Sequence, residues 1–357
     1  MTTPLARHLR AEIAAQGPIT MARYMAEALG HPEHGYYMTR DPFGAAGDFI
    51  TAPEVSQMFG ELIGAWCADV WMQMGQPNPI QLVELGPGRG TLMKDALRVT
   101  QQVPGFHSAT RLHLVETSPR LRDLQATTLT GSTPNWHDSV TDIPAGPRLL
   151  IANELFDALP VHQFQFSDGH WHERLVDAAT DEDGLRLALD PSPATNAALD
   201  RFTLPQEGSI AEVCPAGVAL AREIATQIST ENGAALLIDY GHTECGYGDT
   251  VQAVRAHQAR SIFEAPGTVD LTAHVDFAAL AEAARDAGTA IWGPVVQGNF
   301  LNQLGIAARA TTLSTASPPD SRDIASALDR LTHPDEMGSL FKVLAFTSAS
   351  LHPAGFD

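Results

Sequence analysis

The stretch Leu82-Val-Glu-Leu-Gly86-Pro-Gly88-Arg-Gly90-Thr91 constrains this chain more than any other. An apolar run ends in three glycines at alternate positions, and a helix-forming sequence follows at once. Glycine is required where a turn adopts positive φ and where a bulky ligand must approach the backbone closely. The pattern reads as the first strand, turn and helix of a doubly wound α/β sheet, whose ligands sit at the carboxyl ends of the strands. A dinucleotide fold asks for G-x-G-x-x-G, but the sixth position counted from Gly86 is Thr91, and the Gly-Lys-Ser/Thr of a phosphate loop is absent. A nucleoside without phosphate remains, with Glu84, Gly86, Gly88, Gly90 and Thr91 as candidate contacts.

From Pro79 onward, short apolar runs alternate with amphipathic helices, as a parallel sheet covered on both faces requires. Strands are expected at 80–85, 112–116, just before Trp136, and at 149–152, 234–239, 290–296 and 340–346. Helices are expected at 91–100, after Ser118-Pro119, and at 275–287 and 320–331, with 314–321 as a flexible linker. Glu116 ends the second strand, where a carboxylate accepts the two hydroxyls of a ribose. Alone it suits a nicotinamide cofactor equally well; joined to E-x-G-x-G-x-G it suits S-adenosyl-L-methionine (SAM) better. Asp138, in the polar loop after Trp136, is a candidate adenine contact.

Residues 1–75 read as a helical extension. Thr20 caps a helix that Gly30 stops, and a Gly- and aromatic-rich loop follows over 31–53. Within it, Gly47-Asp-Phe-Ile-Thr51 is a candidate lid. Thr51-Ala-Pro-Glu54 reads as a capping box for a helix whose apolar face is Val55, Met58, Phe59, Leu62, Ile63, Trp66 and Val70. The division expected is therefore 1–75 extension, 76–160 SAM-binding half of the core, 161–232 insertion and 233–357 second half. The insertion alternates at 161–164 and 171–176, as antiparallel strands do, and turns helical after Pro215. It is the candidate substrate or partner region.

Charge removes several function classes. Lys and Arg number 22 against 42 Asp and Glu, a net charge of −20, and the only lysines are Lys94 and Lys342. Nucleic-acid binding and polybasic membrane docking both need the opposite balance. No run of about 18 apolar residues exists to span a bilayer. Cys67, Cys214 and Cys245 form no CxxC, the N-terminus lacks a signal-peptide pattern, and a cytoplasmic protein is expected. The fourteen histidines show no HExxH spacing, so no metal is expected.

Several blocks together resemble a known family. They are Gly47-Asp-Phe-Ile-Thr-Ala-Pro-Glu54, Val83-Glu-Leu-Gly-Pro-Gly-Arg-Gly-Thr91, Asn153-Glu-Leu-Phe-Asp-Ala-Leu-Pro-Val161, Leu237-Ile-Asp-Tyr-Gly241 and Asp270-Leu-Thr-Ala-His-Val-Asp276. They are similar to the MidA-type methyltransferases, a family that includes the mitochondrial complex I assembly factor acting as a SAM-dependent protein arginine methyltransferase. The resemblance runs from about Gly35 to Phe346. It implies a class I, Rossmann-like, mostly parallel seven-stranded sheet with an antiparallel last strand, and SAM as cofactor. It further implies arginine methylation on a subunit of a respiratory complex I-type assembly.

Methyl transfer from a sulfonium is an in-line displacement, and a guanidinium acceptor must also be oriented and deprotonated by acids. Asn153, Glu154 and Asp157 follow strand four and are the candidate catalytic residues. Asn153 is expected to shape the cofactor pocket, and Glu154 or Asp157 to engage the acceptor. Asp239, His242 and His274 are further pocket candidates. The Asn-Pro-Pro-Tyr motif of amide methyltransferases is missing, which argues against glutamine as acceptor. The double-glutamate loop of the major arginine methyltransferases is missing too, so arginine rests on the resemblance. A small-molecule methyltransferase and a non-catalytic SAM-binding assembly factor stay open, and a homodimer is compatible with the chain.

Overall fold

The computed structural model describes residues 3–39, 51–179, 184–255 and 258–357. The chain divides into two compact units. One comprises Met1–Phe49, Phe156–Ala219 and Glu244–Asp276; the other comprises Ile50–Leu155, Leu220–Thr243 and Phe277–Asp357. This differs from the division expected: the N-terminal helices and the insertion form one unit, because Leu5, Leu9, Met21 and Tyr24 share a core with Val161, Val176 and Leu185, and Ile19–Thr20 pairs antiparallel with His170–Ala178.

The second unit holds the main sheet. Its strands are β1 (Ile80–Leu85), β2 (Thr110–Val115), β3 (Asn135–His137), β4 (Arg148–Asn153), β5 (Gly233–His242), β6 (Ala290–Val296) and β7 (Phe341–Thr347). They lie in the order β6-β7-β5-β4-β1-β2-β3. Pairings from β3 through β5 are parallel, with Leu82 opposite Leu112 and Leu149, while β7 runs antiparallel to β5 and β6. This is the class I methyltransferase arrangement. Every residue of β1 and β4 is buried, so their apolar runs face helices on both sides. One layer is the helix Gln57–Gln73, whose Phe59, Ile63, Trp66 and Val70 pack over Ile80, Leu82, Ile151 and Ile238. Gly64 lets it approach the helix Thr91–Thr100: a Cβ there would lie 2.6 Å from the Ala96 Cα. From β1 the chain winds to β2 and β3 on one side and to β4 and β5 on the other, so the carboxyl ends of β1 and β4 bound a crevice.

Three local expectations need correction. Glu54 makes no capping box: Thr51 lacks a side-chain cap bond, and the long helix is capped instead by Ser56, which accepts from the Met58 amide. The linker expected at 314–321 is occupied by the end of a helix, Ile306–Ala316, and by a 3-10 turn, Pro318–Asp320, with the Ser317 hydroxyl bonded to Asp320. The helix capped by Thr20 runs through Gly30, not up to it.

The first unit is built on helices Pro4–Gln16 and Met21–Gly30 and a five-stranded antiparallel sheet. Its central hairpin joins His162–Ser167 to His170–Ala178 through Asp168-Gly169, both at positive φ, the geometry of a two-residue hairpin turn.

A buried polar chain under β1 and β2 makes the core acid-sensitive. The His113 Nε2–H donates to Gln81 Oε1 at 2.8 Å, and Nδ1 accepts from His137 Nε2 at 2.8 Å, an arrangement that requires a neutral His113 ring. Burial pushes the His113 pKa down to about 4. Because the unfolded ring protonates near 6.5, stability is lost as pH falls from there toward 4. Urea unfolding should show a loss of about 2 kcal/mol from pH 7 to pH 5 from this residue, and His113→Gln should flatten that slope. An unchanged slope would contradict the assignment of His113 as a neutral ring.

Candidate active site

The crevice is built from the ends of β1, β2, β4 and β5. After Leu85 the backbone turns through Gly86, Gly88 and Gly90 at φ +60, +51 and +81. At Gly86 and Gly88 a Cβ would place the chain in a left-handed conformation costing roughly 1–2 kcal/mol. The Gly86 amide extends the ladder to the Val115 carbonyl at 3.0 Å, and the Gly90 amide closes the turn on Pro87 at 2.7 Å. Gly90 begins the helix Thr91–Thr100 without a side-chain cap. That leaves backbone donors at the mouth of the crevice. The Thr91 hydroxyl donates to Glu54, whose carboxylate also lies 3.9 Å from Arg89.

Glu84 precedes this turn and is 3% exposed. Its Oε2 has no hydrogen-bond partner among the described residues. Burial pushes its pKa up to about 8. Glu116 follows β2, with Oε1 accepting from the Ser118 amide at 2.8 Å and Oε2 from Gln125 at 3.2 Å. Burial raises its pKa, opposed by those bonds. Asp138 is placed differently: its side chain is 80% exposed and held by Arg122 at 2.6 Å.

Gln125 escaped the sequence reading. Fully buried, it donates from Nε2 to the Gly88 carbonyl at 2.8 Å and to Glu116, and accepts from Trp136 Nε1 at 2.8 Å. One amide thus fixes the glycine turn against the acid of β2 and the aromatic of β3. Its only sequence signal is a polar residue one turn after Leu121 on the buried face of the helix Pro119–Thr128. Gln125→Leu strands three polar groups and should lower unfolding stability by about 2–4 kcal/mol, read by urea denaturation. A loss under 0.5 kcal/mol would contradict the network.

At the end of β4, Asn153 is 8% exposed; its Nδ2 donates to Glu154 Oε1 at 3.2 Å, and its Oδ1 has no partner among the described residues. Glu154 takes φ +50, an uncommon conformation for a non-glycine residue. Its amide continues the ladder to the Ile238 carbonyl at 2.9 Å, and its Oε1 accepts from the Ala52 amide at 2.9 Å. Asp239, buried at the β5 end, accepts from the amides of Leu155 at 3.1 Å and Tyr240 at 2.9 Å. Asp239 thereby holds the turn that presents Glu154. His242 is the last residue of β5. Asp157 and His274 fall in the first unit, where Asp157 accepts the Ala273 amide through its carbonyl and the His274 amide bonds to Thr250. The lid expected around Gly47–Thr51 lies outside the described residues except for Thr51.

Two buried oxygens in need of donors, an acid at the second strand tip and an uncapped glycine turn fit a ligand with an amine and a ribose. Among the described residues one cluster of possible metal ligands occurs: His8, Glu27 and His31, in the first unit. The His31 Nδ1 accepts the Glu33 and His34 amides at 3.1 and 3.2 Å, which puts the ring proton on the nitrogen facing Glu27. Glu27 is paired with Arg23 at 2.9 Å. His31 Nδ1 and the Glu27 carboxylate are thus already engaged by protein groups.

Comparison with known proteins supplies the family. Residues 62–295 match a family model described as "Putative S-adenosyl-L-methionine-dependent methyltransferase". A zebrafish (Danio rerio) protein named protein arginine methyltransferase NDUFAF7, mitochondrial, is 40% identical over 94% of this chain and 85% of its own length. The human protein of the same name is 38% identical over 96% and 83%. A crystal structure from Burkholderia thailandensis, bound to S-adenosyl-homocysteine, superposes with TM-score 0.86 at 29% identity, covering 98% of this chain and 93% of that one.

Proposed function

Because the chain belongs to the MidA-type family of SAM-dependent methyltransferases, we propose that it transfers the methyl group of SAM to an arginine side chain of a protein. SAM is its cofactor and supplies an electrophilic methyl group on a sulfonium. The observation that carries the reading is the pair of unpartnered buried acceptors, Glu84 Oε2 and Asn153 Oδ1, at the two strand ends that bound the crevice. In this reading Glu84 and Asn153 take the amino-acid end of the cofactor. The backbone at Gly86, Gly88, Gly90 and Thr91 closes around it, and Glu116 takes the ribose. Asp138 is kept as an adenine contact only through its backbone, since its carboxylate is engaged by Arg122.

The acceptor chemistry is assigned to Glu154. Its carboxylate lies beside Asn153 at the strand end, held by Ala52, and is fit to orient a guanidinium and take up its proton. Arginine is favoured because the relatives at 38–40% identity carry the name protein arginine methyltransferase. A respiratory-complex subunit as acceptor follows from the family resemblance. The relatives are named mitochondrial; for this chain the cytoplasm is proposed, on three unpaired cysteines that suit a reducing compartment. No helix among the described residues is long and apolar enough to cross a membrane.

Incubating methyl-labelled SAM and the protein with lysate of a deletion strain tests the reading. Label in a protein band supports it. Label in a small metabolite, or none beyond the control, overturns it.

A further inference from the structure

The first unit carries an aromatic cluster that this chemistry does not use. Trp171 meets Phe166 edge-on at 5.2 Å and stacks on Tyr247 at 6.2 Å and 29°, and Phe202 lies 5.8 Å from Tyr247. The Tyr247 hydroxyl donates to the Thr203 carbonyl at 2.8 Å and braces the following turn. Beside the cluster a groove of about 570 Å³ is lined by Trp171, Asn196, Leu199, Asp200, Phe202 and Pro205, among others. That volume lies in the range of ligand-sized clefts.

Between Phe202 and Pro205 stands Leu204, 91% exposed and at φ +57. An exposed leucine forgoes burial, and its left-handed backbone is unfavourable for a side chain with a Cβ. Tyr247, with 41% of its surface exposed, adds an aromatic face. Trp and Tyr are the residue types enriched at binding hot spots, and here they lie in one cluster with an exposed apolar side chain close by in the sequence.

Charge selects the occupant. The described residues among 161–213 carry seven Asp and Glu against three Arg and no Lys, and Arg174, Arg186 and Arg201 are each already paired with an acid. Asp200 lines the groove, and no Lys or Arg does. Aromatic faces beside a carboxylate attract cations.

We propose that this groove docks a basic segment of the protein acceptor, with an arginine or lysine over Trp171 and Tyr247 beside Asp200 and an apolar side chain against Leu204. The proposal rests on the protein-methyltransferase reading, and its test separates the two. A fluorescein-labelled 15-residue peptide with four arginines and two leucines among Gly and Ser is titrated with the full chain by anisotropy. Its counterpart carries glutamine for every arginine. The arginine peptide should bind at least tenfold more tightly than the glutamine one. Trp171→Ala should weaken it at least tenfold, and Asp200→Asn and Leu204→Ser at least threefold. Leu204→Ser, on the surface, keeps the fold and leaves SAM affinity unchanged. Equal binding of both peptides, or wild-type binding by Leu204→Ser, overturns the docking proposal. So does a wild-type dimer that Leu204→Ser dissociates while peptide binding is unaffected, since the face is then a self-association surface. If the lysate shows no labelled protein while the arginine peptide still binds and Leu204→Ser still weakens it, the methyltransferase reading fails and the groove stands. If a labelled protein keeps its KM in Leu204→Ser, the reverse holds.

Discussion

Glu154→Gln is expected to lower methyl transfer by on the order of 10²-fold or more while leaving SAM affinity within about threefold. The substitution keeps an oxygen at Oε1, so the bonds from the Ala52 amide and the Asn153 amide group survive. What it removes is the negative charge and the proton acceptor. A guanidinium needs both, because it is cationic before transfer and must lose a proton as the nitrogen is methylated. If Glu154 only anchored Ala52, the glutamine variant would stay active and Glu154→Ala alone would lose function through local loosening. Comparing the two variants therefore separates chemistry from scaffolding. Full turnover by Glu154→Gln would remove Glu154 from the mechanism. The positive φ of this residue supports the functional reading, since strained backbone persists where a side chain is held for a task.

The second large effect concerns Glu84. Its carboxyl ionises near 4.5 when exposed and at about 8 in the buried site. Between those values the folded protein holds a proton that the unfolded chain has lost. Stability accordingly falls as pH rises from 4.5 through 8, by about 1.4 kcal/mol per pH unit from this group. Glu84→Gln should abolish that slope and raise the thermal midpoint at pH 8. The same substitution should weaken SAM binding, because pairing with the cofactor's ammonium requires the ionised carboxylate. Wild-type affinity should strengthen as pH rises toward 8, by up to about tenfold per unit. In Glu84→Gln it should be weaker and flat. A pH-independent wild-type affinity would show that Glu84 does not ionise on binding. A variant that gains stability and loses affinity marks a group buried for function and not for the fold.

Much of the crevice is legible in the sequence because its chemistry is local. Three glycines between a strand and a helix can serve few geometries, and an acid at the end of β2 follows from the strand pattern alone. What the sequence reading missed depends on tertiary contact. Gln125 is an ordinary polar residue until the helix Pro119–Thr128 brings it to Gly88, Glu116 and Trp136 at once. Glu54 satisfied the spacing of a capping box, yet its carboxylate is taken by Thr91, 37 residues away. The helices Gln297–Gln303 and Ile306–Ala316 are short, and Gly305 at φ +87 interrupts their buried apolar positions Phe300, Leu301, Ile306 and Ala310, so no long periodic stripe marks them in the sequence. The grouping of the N-terminus with the insertion rests on a shared core, in which Leu5, Leu9, Met21 and Tyr24 pack with Val161, Val176 and Leu185, and on the pairing of Ile19 and Thr20 with a distant strand. No local pattern announces such a pairing.

In the proposed reaction the methyl group goes from SAM to a protein arginine through the crevice between β1 and β4. The most direct measurement is amino-acid analysis of the labelled acceptor after complete hydrolysis. Predicted is label in methylated arginine, at wild-type level with the wild-type protein and reduced on the order of 100-fold with Glu154→Gln. Label in any other amino acid, or equal methylarginine from both proteins, would contradict the account.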